Sequence, residues 1–410
     1  MYTKKDWSIF LSFLSAIFIV NVSVLYSQYL DFKKEELYFT NAEISNVYSK
    51  HDYQVLKLKN SEITFFTSVS KKENYHLFDR VNITLVTSDI EFFDYTKGFY
   101  AKSFNLYLQE HQEESLKEKL SLSIKTQHKD EKISRLFDAL FFAVPLSQQL
   151  RDICATYGIS HLIAISGFHL GVISFVVFWI LYYPYTLVHG KYFPYRNKKF
   201  DILMMTSLLL LSYLIFTQMV PSLLRAFVMF ILGIYFLRFN FKLISFQTLL
   251  ITVLFIIAFF PEYLFLLSLW FSVIAVLYIF LFLKYFDSLS KVGQFIFFNF
   301  WIYLVMNPVS HYFFGDTALI QFLSPIVTVG FTLFYPLEIL FHLIGFGGVL
   351  DGLIQWAISV KTNSYEVFTP MWFFYGYVLL SFLSIVSKKA FVLLNIMFVV
   401  FNIYIYTSQT

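Results

Sequence analysis

The chain has 410 residues, of which 58% are hydrophobic and 14% charged, with a mean hydropathy of +0.63. An ordinary soluble domain carries about a quarter charged residues, so this composition excludes a soluble globular enzyme, a disordered tail and a disulfide-stapled secreted domain. It indicates a polytopic α-helical membrane protein.

The charges are unevenly placed. Residues 31–135 hold 17 acidic and 16 basic side chains, whereas residues 136–410 hold 9 and 13. A near-neutral polar insert therefore precedes a long, charge-poor body, and the net charge of +4 reports loops rather than a partner. The single cysteine, Cys154, allows no intrachain disulfide.

The first apolar run, Trp7 to Leu30, is long enough to cross a hydrocarbon core of about 30 Å at about 1.5 Å per residue. It is too long for a signal-peptide core and lacks a small-residue cleavage pattern. Lys4 and Lys5 precede it, so the expectation is an uncleaved helix over 1–30 with a cytoplasmic N-terminus, which places 31–135 outside the cytoplasm. Segments 36–48, 53–59, 62–69 and 80–87 are rich in Val, Ile, Thr, Tyr and Phe and partly alternate, which predicts strands of a small all-β barrel or sandwich within 31–110. Residues 111–135 have a helical composition and read as a polar connector.

The body is 136–410. Residues 136–158 are interrupted by Asp138, Pro145, Arg151 and Asp152 and read as interfacial or re-entrant. Spans are predicted at 159–183, 201–219, 222–239, 243–260, 263–283, 292–308, 370–387 and 390–406. Lys191, Arg196, Lys198 and Lys199 mark a cytoplasmic loop, and Arg238 with Lys242 and Lys284 with Lys291 fall on the same side if each span crosses once. Residues 318–346, with Pro325, Gly330, Pro336, Glu338 and Gly345, are expected to form two broken half-helices that return to the outside.

Segment 158–171 concentrates polar groups within a predicted span. If it is one helix, Ser166 and His169 lie about 60° apart and His161 and His169 about 80° apart, so Ser160, His161, Ser166 and His169 can border one cavity or helix contact. Ala164, Gly167 and Gly171 supply small residues that let helices approach closely. Two histidines without a third ligand make a poor zinc site. Ser166 as a hydrolase nucleophile would need a base from His311 or His342, because His169 is poorly aimed. No G-x-x-x-x-G-K-[ST] phosphate loop occurs. Arg225 lies near the outer end of an apolar helix, where it either snorkels or offers a guanidinium fork to a phosphate. Glu338 is the other intramembrane charge, pairing with Arg225 or lining a pore. In the insert, Lys57, Lys59, Lys71, Lys72 and Arg80 form either a solvated face or a DNA-contact patch.

These segments carry a resemblance. His161-Leu162-Ile163-Ala164-Ile165-Ser166-Gly167-Phe168-His169 resembles the H-L-x-A-I-S-G-x-H signature of the ComEC family of competence proteins. Pro221-Ser222-Leu223-Leu224-Arg225-Ala226 resembles the family's P-S-x-x-R-A segment. Ser268-Leu269-Trp270-Phe271-Ser272-Val273-Ile274-Ala275-Val276 is similar to its S-F-x-L-S-F-x-A-V stretch. Asn307-Pro308, Phe313-Phe314-Gly315, Pro325 and Pro336 follow in the same order. Phe93-Asp94-Tyr95 resembles the F-D-Y stretch near the end of the family's OB-like domain.

The resemblance implies an OB-like extracytoplasmic domain followed by a transmembrane channel in the inner (plasma) membrane. That channel admits single-stranded DNA to the cytoplasm during natural transformation. The implied channel has no catalytic residue, cofactor or metal. Its implied partners are single-stranded DNA, a periplasmic DNA receptor, a cytoplasmic ATP-driven translocase or single-strand-binding proteins, membrane lipid and a homo-oligomeric copy of itself. Many relatives end in a metallo-β-lactamase-like nuclease domain; this sequence has no H-x-H-x-D-H motif, so a separate nuclease is expected to degrade the second strand. Two other classes stand beside the channel: an intramembrane serine hydrolase using Ser166, and a transporter of another polyanion such as an envelope glycan or lipid.

Overall fold

The computed structural model describes residues 4–50, 52–60, 63–71, 75–109, 115–238, 245–360 and 362–408; of 236–238 only the backbone is described. Lys72 and Lys242 lie outside the described residues. The chain divides into two compact units.

The first unit contains α1 (Lys4–Phe32), β1 (Leu37–Ser49), β2 (Tyr53–Lys59), β3 (Thr64–Ser70), β4 (Arg80–Val86), α2 (Phe92–Lys97), β5 (Phe99–Tyr100) and β6 (Ser103–Leu108). Most of α3 (Leu116–Lys125) follows. The four strands expected from alternation are present, nearly residue for residue. β1 is long enough to serve two partners, pairing β4 through Leu37–Glu43 and β2 through Glu43–Ser49, with a register shift after Ile44. An extra residue bends a strand and increases its twist, which lets one strand run from one side of a curved sheet to the other.

The short β5 and β6 were not foreseen. They act together: β5 pairs with β3 and β6 with β4, separated by Ala101 and Lys102. Across that gap Ala101 N donates to Phe66 O, and Lys102 O accepts from Val86 N. The sheet therefore closes on itself. Ile44, Leu56, Leu58, Phe65, Ile83 and Leu85 fill the interior together with Tyr29 and Phe32 from the end of α1. Gly98 makes the closing turn with φ of +89°, and a side chain there would approach Thr64 O at 3.2 Å. Residues 251–269 belong to the same unit; Asn21 Nδ2 donates to Ala258 O at 2.8 Å, and the Phe93 ring meets Phe265 edge-on.

The second unit holds α4 (Glu131–Phe142), α5 (Gln148–Thr156), α6 (Ser160–Ile163), α7 (Gly167–Tyr192), α8 (Lys198–Phe216), α9 (Pro221–Arg238), the first residues of α10 (Phe246–Phe259), most of α11 (Leu267–Tyr285) and α12 (Lys291–Phe313). It continues through β7 (Asp316–Thr317), α13 (Ser324–Leu343), α14 (Asp351–Ser359), β8 (Tyr365–Glu366), α15 (Met371–Leu383) and α16 (Lys388–Thr407). Among the described residues seven helical segments are long and apolar enough to cross a membrane: α1, α7, α8, α11, α12, α13 with the turn before it, and α16. α9, α10 and α15 are shorter apolar helices. At 13 residues α15 is about 20 Å long, short of the span expected at 370–387.

Two expectations are corrected here. The span predicted at 159–183 is not one helix: it breaks at Ala164–Ser166, and α7 runs on to Tyr192 through Pro184. The angles assigned to His161, Ser166 and His169 on a common helix therefore do not apply. In 318–346 the chain does not form two half-helices; α13 continues through Pro336 without interruption. After α13 and α14 the chain comes back beside the segment that precedes α13, through the β7–β8 ladder in which Asp316 pairs with Glu366 and Thr317 with Tyr365.

Pro308 shows how a helix break is avoided. A proline withholds its N–H and so frees the carbonyl four residues earlier. That carbonyl, of Leu304, accepts from Asn402 Nδ2 at 3.0 Å; Asn402 Nδ2 also donates to Phe398 O at 2.7 Å, and Asn402 Oδ1 accepts from Asn307 Nδ2 at 2.6 Å. The Asn-Pro pair of α12 is thus matched by one asparagine on α16.

Candidate functional site

The break before α7 follows from side-chain chemistry. Ser166 is extended, with φ of −137° and ψ of 179°, and its hydroxyl accepts from Phe168 N. His169 Nδ1 accepts from Ser166 N at 3.2 Å, closing a reciprocal capping box with histidine in the place usually held by glutamate or glutamine. The S-G-x-H of the signature is therefore a helix start. His169 is fully buried and Ser166 partly so; Ser160, His161 and Ala164 are exposed, and His161 Nε2 lies 3.4 Å from Thr328 Oγ1. The structure brings Ser166 and His169 together and leaves Ser160 and His161 on a separate short helix.

This geometry predicts a contrast. His169→Gln keeps the capping acceptor and is expected to accumulate in membranes like the wild type, whereas Ser166→Ala is expected to lose about 1 kcal/mol of stability, a typical cost of losing a cap. Membrane protein level and thermal midpoint in detergent measure both.

The second motif docks on the first. Ser222 Oγ donates to Ile165 O at 2.6 Å. Arg225 lies over Gly167: a methyl at that glycine would meet Arg225 Nη2 at 2.9 Å and Ala226 Cβ at 3.2 Å. Close packing of small residues is thus realised at Gly167; at Gly171 a methyl would meet nothing within 4 Å, and Ala164 is exposed. The third motif completes the joint, with Arg225 Nε donating to Ser272 Oγ at 2.7 Å and Nη1 to Met229 Sδ at 3.1 Å.

Arg225 is only 6% exposed and does not snorkel. It also does not pair with Glu338, the partner considered from sequence. Among the described residues no carboxylate forms a salt bridge with Arg225, while Glu338 lies 3.3 Å from His342 Nδ1, elsewhere on α13. Ser222 and Ser272 were not singled out as site residues from sequence, although both stand in the quoted motifs.

In the first unit, Lys57, Lys59 and Arg80 come together on the outer face of the sheet. Glu43 sits directly opposite Lys59 on one side and Arg80 on the other, and side chains so paired share a face. Burial pushes the Glu43 carboxyl up from its ordinary value, against the opposing pull of Lys117, Arg80 and Lys59. Burial likewise pushes the Lys59 ammonium down. Lys71 lies just past β3, near Tyr53 at the far end of β2 from Lys59. Of the residues expected from sequence, the patch therefore joins Lys57, Lys59 and Arg80, with Glu43 between Lys59 and Arg80 and Lys117 also acting on that acid, and leaves out Lys71.

The sequence model of one family, described as Competence protein, matches residues 144–409. The chain belongs to the competence protein family. No curated protein and no solved structure matches it. The competence match covers all three motifs that meet at Arg225, and together with the apolar helices it makes the chain a multi-pass membrane protein of a family tied by name to competence for DNA uptake.

Proposed function

We propose that this competence protein is the inner-membrane channel through which one DNA strand enters the cytoplasm. The observation that carries the reading is the meeting of three family motifs at one buried arginine that has no acidic partner among the described residues. A guanidinium held away from water is costly unless an anion or water compensates it. A DNA strand offers one phosphate per nucleotide, and the guanidinium fork suits phosphate in both charge and geometry. Arg225 is the phosphate contact in this reading; Ser166, His169 and Gly167 fix the helix start against which it is set.

The N-terminus is cytoplasmic and the sheet domain extracytoplasmic. That domain is OB-like, its closed order β1-β2-β3-β5/β6-β4 supporting the reading. The insert that holds it is near-neutral, with 17 acidic and 16 basic side chains over 31–135, which gives weak DNA affinity, so a periplasmic receptor delivers the strand. With no phosphate loop in the chain, a cytoplasmic translocase or single-strand-binding protein supplies direction, and a separate nuclease removes the other strand.

A photoreactive side chain at Phe168, beside Gly167, tests this in cells taking up labelled DNA. Single-stranded DNA is expected to crosslink there and not from Leu187, which is 82% exposed on α7. Equal crosslinking at both positions, or none at Phe168, contradicts the reading.

The hydrolase reading rests on Ser166 Oγ standing 3.2 Å from His169 Nδ1. The same Nδ1 already accepts from Ser166 N, and the buried Nε2 has no hydrogen-bond partner to orient the ring as a base. Fluorophosphonate probes are accordingly expected not to label Ser166.

A further inference from the structure

A second buried polar cluster lies away from Arg225. His128, just before α4, has Nδ1 2.8 Å from Asp351 Oδ1, at the start of α14, and Nε2 2.9 Å from His342 Nε2, at the end of α13. His342 Nδ1 lies 2.7 Å from the main-chain carbonyl of Glu338 and 3.3 Å from its carboxylate. The side chain of His128 is fully buried, that of His342 is 8% exposed, and Asp351 alone reaches solvent, at 20%. α4 contributes the Phe137 and Phe141 rings, both packed on His342, with Phe137 also stacked on His128. Gln127 ties the same corner, its Nε2 donating to His342 O and its Oε1 accepting from Gly347 N.

The hydrogen count at this cluster is constrained. A carbonyl only accepts, so His342 Nδ1 carries a hydrogen. If His342 is neutral, its Nε2 is a lone pair, and His128 Nε2 must carry the hydrogen between the rings. His128 Nδ1 then either carries a second hydrogen, donated to the Asp351 carboxylate, or accepts one from a protonated Asp351. If His342 carries both hydrogens, His128 donates through Nδ1 to the Asp351 carboxylate. Each arrangement holds one proton more than an ionised aspartate and two neutral imidazoles. Without that proton either two ring lone pairs face each other at 2.9 Å, or the His128 Nδ1 lone pair faces the Asp351 carboxylate at 2.8 Å.

We propose that Asp351, His128 and His342 hold one proton in common, and that this proton clasps the segment before α4 to the turn between α13 and α14. The charged and titratable groups facing it are Asp351 from α14, Glu338 and His342 from α13, and His128 itself. The Glu338 carboxyl lies buried at the far end of the run, 3.3 Å from His342 Nδ1. When the proton leaves, one hydrogen bond of the run goes with it, either between the rings or at Asp351. The clasp therefore holds while the proton is bound and loosens when it is lost.

The test is amide hydrogen exchange of the 343–351 turn in the full chain in detergent, at about pH 6 and about pH 9, corrected for the intrinsic pH dependence of exchange. Protection is expected to fall about tenfold at the higher pH, the equivalent of one charge-assisted hydrogen bond. His128→Phe, which keeps a ring to stack on Phe137, is expected to abolish the difference, and Asp351→Asn, whose amide donates to His128 Nδ1 without an added proton, to keep the turn protected at both pH values. Equal protection of the wild type at both pH values, or an unchanged pH response in His128→Phe, overturns the proposal. So does stoichiometric Zn²⁺ that protects the wild-type turn but not the variant's, because the shared cation is then a metal and not a proton.

Discussion

Arg225→Met is expected to leave the protein in the membrane near its wild-type level while lowering transformation by about 10- to 100-fold. Methionine has similar length and no charge, so it fills the space over Gly167 and removes the buried cation that has no acidic partner among the described residues. What is lost structurally is the hydrogen bond to Ser272 Oγ and the contact with Met229 Sδ. What is lost functionally, in the proposed reading, is a charge-assisted contact to phosphate of about 1.5–3 kcal/mol, which sets the expected fold-change. Arg225→Lys keeps the charge but not the fork, and an intermediate loss is expected from it. Membrane protein level and transformation frequency, measured in the same strain, separate folding from transport. Equal transformation in wild type and Arg225→Met removes the phosphate contact from the account.

Asn402→Leu is expected to act on stability instead, lowering the unfolding free energy by about 2 kcal/mol. The substitution strips the acceptor from Asn307 Nδ2 and the donor from the Leu304 carbonyl that Pro308 leaves open. A buried unsatisfied group costs about 1–3 kcal/mol, while interhelical hydrogen bonds in membranes average about 0.6 kcal/mol because the unfolded chain also finds partners. The expected value lies between these limits because one substitution opens two groups. Adding Asn307→Leu is expected to cost less than the sum of the single changes, since the orphaned amide goes too. Titration with denaturing detergent measures all three variants, and strict additivity would show that the two asparagines do not act as a pair.

Much of the first unit was legible because alternation is a local signal. Ala42, Ile44, Leu56, Leu58, Val81, Ile83 and Leu85 stand at every second position and all point inward. β5 and β6 were not legible because each is short and they are separated by Ala101 and Lys102, which carry no strand pattern. In the body, apolar runs located the helices but not their breaks. Ala164-Ile165-Ser166 looks continuous with its flanks, and the cap that stops the helix uses a histidine at the third position, where glutamate or glutamine is the usual sign. Pro336 was read as a break, yet α13 runs through it.

The candidate site was half legible. Arg225 and the signature stood out as polar groups in apolar sequence. That Gly167, Arg225 and Ser272 meet is a matter of tertiary packing among three helices. The His128–His342 pair joins residues 214 positions apart, and periodicity carries no information at that range.

The most direct test of the central claim is uptake of labelled DNA in a strain lacking this gene, with DNA held in the periplasm separated from DNA in the cytoplasm. The account predicts DNA accumulating in the periplasm as duplex, none entering the cytoplasm, and entry restored by the wild-type gene but poorly by Arg225→Met. Normal cytoplasmic entry in the deletion strain contradicts it.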